Sequence, residues 1–294
     1  MSQPPPPAAW ALSTIGNTPV LHLRNIIPEK RTHASIYLRL DSVNHTGSYK
    51  DRMALSMIEE TEARGDLKPG MTVVGATGGS TGSPLAFICS MKGYRFHVVS
   101  LDAFAAEKIR TMRAYGAVVE IVHAPGGKIA KELFPEMMRR AKELVETRPN
   151  AFYYTNQELV AQFAGGIDAF CGAAGSEGML IGVSKVLRAE WSEAKVVFLE
   201  PASSSVISEG RIGVHGVGGI APGFVPPHLD RELYDEAWGV DEAEARAMCR
   251  RLAREEEILV GTSTGLNVIA AVRLAKGLKY LNGDLLADSW AALW

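Results

Sequence analysis

The stretch TVVGATGGSTGSPLAFICSMKGYRFHVVS, Thr72 to Ser100, decides the fold. Its opening TVVGA, Thr72 to Ala76, reads as a buried strand, Ser80 to Lys92 as a helix, and FHVVS, Phe96 to Ser100, as a second strand. The alternation continues outward. Ala105 to Tyr115 reads as a helix, AVVEIVH (Ala117 to His123) as a strand, and Lys128 to Glu146 as a long amphipathic helix. A second series follows: strand Ile167 to Cys171, helix Gly178 to Arg188, strand Lys195 to Glu200, helix Asp241 to Glu255, short strand Ile258 to Val260 and helix Gly265 to Lys276. Strands alternating with helices of this length predict βαβ units on parallel sheets. No internal repeat interrupts them. The expected class is α/β with two layers, and Lys50 falls near the point where the chain passes from one to the other.

Composition narrows the function classes. At 294 residues the chain can build one large or two moderate domains, and 47% hydrophobic with 22% charged residues is globular usage. A formal net charge of -2 with no clustered basic face predicts neither a nucleic-acid nor a membrane partner. Cys89, Cys171 and Cys249 lie far apart in apolar surroundings, so they read as core residues of a reducing compartment. The scattered histidines predict no metal site. MSQPPPPAAW, residues 1–10, lacks the layout of a signal peptide and is expected to be a disordered tail, which makes the cytoplasm the default location.

Two features carry chemistry. In NHTGSYKDRMALSMIEE, Asn44 to Glu60, Lys50 stands in the first turn of a helix after the polar turn Thr46-Gly47-Ser48. That end of a helix is positive and disfavours a cation, and burial would disfavour it further. The second feature is a set of three small-residue loops: ATGGSTGSPLA (Ala76 to Ala86), CGAAGSEGML (Cys171 to Leu180) and VGTSTGLN (Val260 to Asn267). Each alone is usually a helix cap. Together, at the carboxyl ends of strands, they mark where open parallel sheets bind ligands. None is a Walker A loop or a full dinucleotide fingerprint.

GNTPVLHL (Gly16 to Leu23), TGSYKDRMALSMIE and TGGSTG, followed by YTNQ, DAFCGAAGSEGMLIGV, LEPASSSV, GIAPGFVPP and GTSTG, resemble the cysteine synthase and cystathionine β-synthase family from about Gly16 to Leu285. The resemblance implies a pyridoxal-phosphate enzyme of the tryptophan-synthase-β fold: two parallel-sheet α/β domains with the cofactor site in the cleft between them. It implies a large cofactor-binding domain from 11–42 plus 154–294 and a small mobile substrate-binding domain over 43–153. Lys50 matches the lysine that forms the Schiff base with pyridoxal 5'-phosphate, which requires a neutral amine. Gly175, Ser176, Glu177, Gly178 and Met179 match the phosphate loop. Ser80 stands where the family usually has an asparagine touching the cofactor's 3′-oxygen. Thr77, Gly78, Thr81 and Gln157 match the groups that grip the substrate α-carboxylate. Asp51 reads as support for the helix start. The implied reaction is β-replacement on an O-activated serine, O-acetylserine plus sulfide to cysteine, in a homodimer.

The sequence also departs from the family. His45 replaces a common proline, Glu177 enters the phosphate turn, and Ala221 and Pro222 stiffen a turn that usually carries glycines. Only Glu158 to Gly166 joins Gln157 to the next strand. At Lys276-Gly277 a central strand and the hydroxyl residue that meets the pyridine nitrogen are missing from the family pattern, so the large domain is expected to be shortened, with neighbouring ladder groups left bare. Two further readings therefore stand beside the first: a truncated, catalytically impaired paralogue with a binding or regulatory role, and a β-eliminating lyase or deaminase on the same cofactor.

Overall fold

The alternating pattern over Thr72–Val122 folds as read, and the chain as a whole takes this order in a computed structural model that describes residues 10–26, 34–77, 79–125, 133–144, 166–175, 178–221, 223–225, 229–277 and 284–288. Strands β1 (Val20–Leu23) and β2 (Ser35–Arg39) precede helix α1 (Lys50–Ala63). Then come β3 (Thr72–Ala76), α2 (Gly82–Lys92), β4 (Arg95–Leu101), α3 (Ala106–Ala114), β5 (Val118–Val122) and α4 (Leu133–Glu143). The second series runs β6 (Ala169–Ala173), α5 (Gly178–Glu190), β7 (Lys195–Pro201), α6 (Val206–Glu209), β8 (Glu236–Val240), α7 (Glu242–Glu255), α8 (Thr262–Gly277) and β9 (Asp284–Asp288).

The backbone separates into two compact units, Met1–Gly16 with Asn44–Phe152 and Asn17–Val43 with Tyr153–Trp294. In the first, β3, β4 and β5 form a three-stranded parallel sheet in that order. The two-residue period of β4 sorts its apolar side chains to opposite faces. Phe96 and Val98 join Ile88, Ile109 and Met112 of α2 and α3, whereas Val99 and Leu101 pack with Met137 and Ala141 of α4. Helix α2 stops at Gly93, whose φ of 78° lets its N–H reach back to the carbonyls of Cys89 and Ser90.

The second unit holds a six-stranded sheet, order β1-β2-β9-β6-β7-β8, in which only β1 runs antiparallel to its neighbour. One face buries Ile36, Leu38, Cys171, Val197 and Leu199 against Leu252, Leu266, Ala270 and Leu274 of α7 and α8. Asp241 caps α7 by accepting from the N–H groups of Ala243 and Glu244.

Two expectations change here. Ile258–Val260 is not a strand. Glu257 takes a left-handed φ of 59°, and the Ile258 N–H returns to the Leu252 carbonyl at 3.3 Å, so the segment finishes α7 instead of pairing in a sheet. The Glu256 carboxylate fixes this end by accepting the N–H groups of Arg24 (3.2 Å), Asn25 (2.6 Å) and Ile26 (2.7 Å). Second, the ladder is not left bare after Lys276. β9 lies between β2 and β6, with Leu286 opposite both Tyr37 and Phe170. A ladder is a demand of backbone groups, and any extended segment of strand-compatible composition satisfies it. DLLAD does so here. The expectations for residues 1–9, for the outer turns of the Lys128–Glu146 helix and for the 158–165 connection lie outside the described residues.

Candidate functional site

Lys50 is buried, 5% exposed, at the first position of α1. The turn before it is built from short polar side chains. The Gly47 N–H donates to the Asn44 carbonyl at 2.8 Å, with Gly47 in a left-handed conformation at φ 73°. The Lys50 N–H donates to the Ser48 hydroxyl at 3.2 Å, which satisfies one orphan donor of the helix start. Asp51 reaches backward instead, accepting the Thr46 N–H at 2.8 Å and the Thr46 hydroxyl at 2.6 Å. Burial raises the Asp51 carboxyl above the usual aspartate value, and the two Thr46 bonds oppose that rise. The ammonium of Lys50 lies 4.7 Å from the centre of the Tyr49 ring. His45 stacks on Phe87 of α2 at 3.8 Å between ring centres, with Tyr115 tilted beside both. The residue in the proline position thus anchors the turn to α2.

In the same unit the loop after β3 is held from two sides. The Thr77 N–H donates to the Val99 carbonyl at 3.1 Å, and the Ser100 hydroxyl donates to the Thr77 carbonyl at 2.9 Å. The Thr77 hydroxyl accepts the Gly79 N–H at 3.1 Å. Gly79 has φ 112°, and a Cβ there would stand 2.6 Å from Cβ of Lys108, so glycine is required. Thr77, Ser80 and Thr81 are all half-buried just ahead of the N-terminal end of α2. This is the layout of an anion site.

In the other unit the turn after β6 leads into α5. A Cβ on Gly175 would meet the Gly219 carbonyl oxygen at 2.9 Å, whereas one on Gly178, the first residue of α5, would meet nothing within 4 Å. Among the described residues, backbone therefore packs closely against Gly175 and nothing crowds Gly178 at the helix N-terminus. The Ala221 N–H donates to the Ala174 carbonyl at 2.7 Å, and Ala221 is held at φ 45°, in the left-handed region a non-glycine residue seldom takes. Nε2 of His215 lies 3.0 Å from the Ala221 carbonyl.

The structure thus brings Lys50, Thr77, Ser80 and Thr81 into one unit and Gly175, Gly178 and Met179 into the other. Gly78, Gln157, Ser176 and Glu177 lie outside the described residues. The third small-residue loop is not a strand-to-helix loop, since Thr262 already opens α8. Sequence reasoning misses His215 and Thr46. Thr46 reads from sequence only as part of the polar turn, since no local rule pairs it with Asp51, and nothing in a lone histidine among glycines points to a carbonyl six residues on. Among the described residues, no cluster of His, Cys, Asp or Glu could hold a metal, and no helix is long and apolar enough to cross a membrane.

Comparison with known proteins gives this arrangement its class. Residues 11–285 match the family model described as pyridoxal-phosphate dependent enzyme. A cysteine synthase of Staphylococcus aureus is 40% identical over 279 residues, covering 90% of this chain and 87% of its own. An O-ureido-L-serine synthase of Streptomyces lavendulae is 38% identical over 275 residues, covering 90% of this chain and 84% of its own. A crystal structure of O-ureido-L-serine synthase superposes with TM-score 0.86 at 36% identity over 97% of this chain and 92% of that one. The chain belongs to the pyridoxal-phosphate dependent enzyme family, as an enzyme of the cysteine synthase type. Its cofactor is pyridoxal 5'-phosphate. The residues fit that group: a buried lysine begins α1, and a glycine turn with no room for a Cβ precedes an open helix N-terminus at Gly178.

Proposed function

We propose that the chain catalyses β-replacement on an O-activated serine, with O-acetylserine and sulfide giving cysteine and acetate. The observation that carries this reading is Lys50, a buried lysine at a helix start whose turn is braced by Ser48 and Asp51. Pyridoxal phosphate, when bound through its aldehyde, supplies the electron sink that stabilises negative charge at the substrate α-carbon. Lys50 would hold the cofactor by its aldehyde, and its neutral amine would take the substrate α-proton onto Nζ. Thr77, Gly78, Thr81 and Gln157 orient the α-carboxylate, so that the Cα–H bond faces the lysine. Ser80 would meet the 3′-oxygen, and Gly175 to Met179 would receive the phosphate at the start of α5, where N–H groups favour an anion. The C–O bond to the leaving group breaks at the β-carbon, sulfide adds there, and Lys50 returns the proton to the α-carbon.

The same reading assigns 43–153 to substrate binding, 11–42 with 154–294 to the cofactor, residues 1–10 to a tail, and a cytoplasmic homodimer to the assembly. A second reading replaces sulfide with an oxygen nucleophile and is supported by the relative named O-ureido-L-serine synthase. Product analysis tests both. The purified chain is given O-acetylserine with sulfide, with hydroxyurea, or alone. Cysteine as the dominant product supports the first reading and O-ureido-L-serine the second. Pyruvate from every mixture contradicts both and assigns β-elimination.

A further inference from the structure

We propose that His215 is a positioning residue for cofactor phosphate, acting through the Gly219–Ala221 strap that closes on the Ala174–Gly175 turn. The inference rests on the reading that Gly175 to Met179 receive the phosphate. A carbonyl oxygen only accepts, so the 3.0 Å contact with the Ala221 carbonyl requires the proton on Nε2 of His215. The next link is the Ala221 N–H, which donates to the Ala174 carbonyl at 2.7 Å. His215 therefore grips Ala221 at its carbonyl and Ala174 grips it at its N–H, and between them Ala221 is kept at φ 45°. A non-glycine residue stays in that conformation only where its surroundings impose it. Released, the strap would relax, and the Gly219 carbonyl would leave the place where a Cβ on Gly175 would strike it at 2.9 Å. The turn ahead of α5 would then lose the wall that shapes it.

The strap is pinned from its other end as well. The Gly216 N–H donates to the Glu242 carboxylate at 2.7 Å, and Glu242 stands in the first turn of α7. Val214, just before the histidine, is 95% exposed. The histidine is thus the point at which the loop turns inward. Its ring is held at some cost, because Nδ1 is buried and has no hydrogen-bond partner among the described residues. A phenylalanine would fill the space without that unsatisfied nitrogen. A histidine kept only for packing would therefore be replaceable by phenylalanine, whereas one kept for its Nε2–H would not.

The test uses the full chain in three variants, His215→Phe, His215→Gln and Gly175→Ala, each with a thermal melt to show that it folds. Dissociation constants are measured for pyridoxal phosphate and for phosphate-free pyridoxal by the absorbance of the bound ring. His215→Phe is expected to weaken pyridoxal phosphate about tenfold, the scale of one lost hydrogen bond, and to leave pyridoxal unchanged. His215→Gln, whose amide can donate to the same carbonyl, is expected to restore most of the loss. If His215→Phe binds both ligands as the wild type does while Gly175→Ala loses phosphate-dependent affinity, the turn reading stands and the role of His215 is overturned. If Gly175→Ala folds and shows no phosphate-dependent loss, the turn reading fails and the inference falls with it.

Discussion

Thr46 and Asp51 close a small ring around the turn that delivers Lys50: the threonine N–H and hydroxyl both donate to the aspartate carboxylate, at 2.8 and 2.6 Å. The pair lies five residues apart and brackets the segment from Gly47 to Lys50. Thr46→Val keeps the shape and deletes one donor to a buried carboxyl. It is expected to cost about 1–3 kcal/mol in denaturant unfolding, the usual penalty for leaving a buried polar group short of a partner. A change within a few tenths would mean that the ring does not brace the turn.

The same carboxyl makes a pH prediction with a definite sign. Burial raises the pKa of Asp51 in the folded chain above its ordinary value of 3.8, so the folded state holds this proton more tightly than the unfolded one. The stability it contributes is fully present below about pH 3.8 and is lost as pH rises through the folded value. Unfolding free energies of the wild type and Asp51→Asn, compared across the acid range, should show the wild type losing ground to the variant as pH rises. A wild-type advantage that grows with pH would mean that the Thr46 bonds outweigh burial.

Thiol accessibility tests the packing of both units. Cys89 is fully buried in the first core, and burial pushes its thiol up to about 12. Cys171 is buried in the second unit, and Cys249 is half-buried with its thiol also raised by burial. A thiol reagent under mildly alkaline conditions should find Cys249 first and slowly, and Cys89 and Cys171 only after denaturation. Fast reaction of Cys89 in the native chain would contradict the core around α2.

β9 carries a backbone prediction. Leu286 lies opposite Tyr37 on one side and Phe170 on the other, in the interior of a parallel sheet. Leu286→Pro removes a ladder donor where neighbouring strands run on both sides. Circular dichroism should show partial unfolding, since the lost ladder bond leaves a neighbouring carbonyl unpaired at a cost of about 1–3 kcal/mol before any clash of the ring. The same substitution at an edge would be tolerated, so a native melt would show that 284–288 do not complete the sheet.

Legibility in the sequence followed local periodicity. The Thr72–Val122 alternation was readable because each strand and helix keeps its own period and its own small-residue turns. β9 was not, because DLLAD has no alternation and owes its place to the ladder edges of β2 and β6, which are distant in sequence. Ile258–Val260 misled for the opposite reason: three apolar residues imitate a strand, while Glu257 turns the chain out of line. Around the candidate site, the place of Lys50 at a helix start and of a small-residue loop between β3 and α2 was legible from residue types that chemistry restricts. Thr46 and His215 were not, since their partners are set by folded geometry and one of them is a main-chain carbonyl.

The central claim is that Lys50 holds the cofactor and moves the proton. The most direct measurement is the visible spectrum of the purified chain with pyridoxal phosphate, wild type against Lys50→Ala, followed by turnover of O-acetylserine and sulfide. Lysine-bound cofactor absorbance and cysteine formation are expected in the wild type, with both lost in Lys50→Ala although that variant still melts cooperatively. Identical spectra in the two proteins, or a wild type that binds the cofactor through Lys50 and turns over nothing, would contradict the claim.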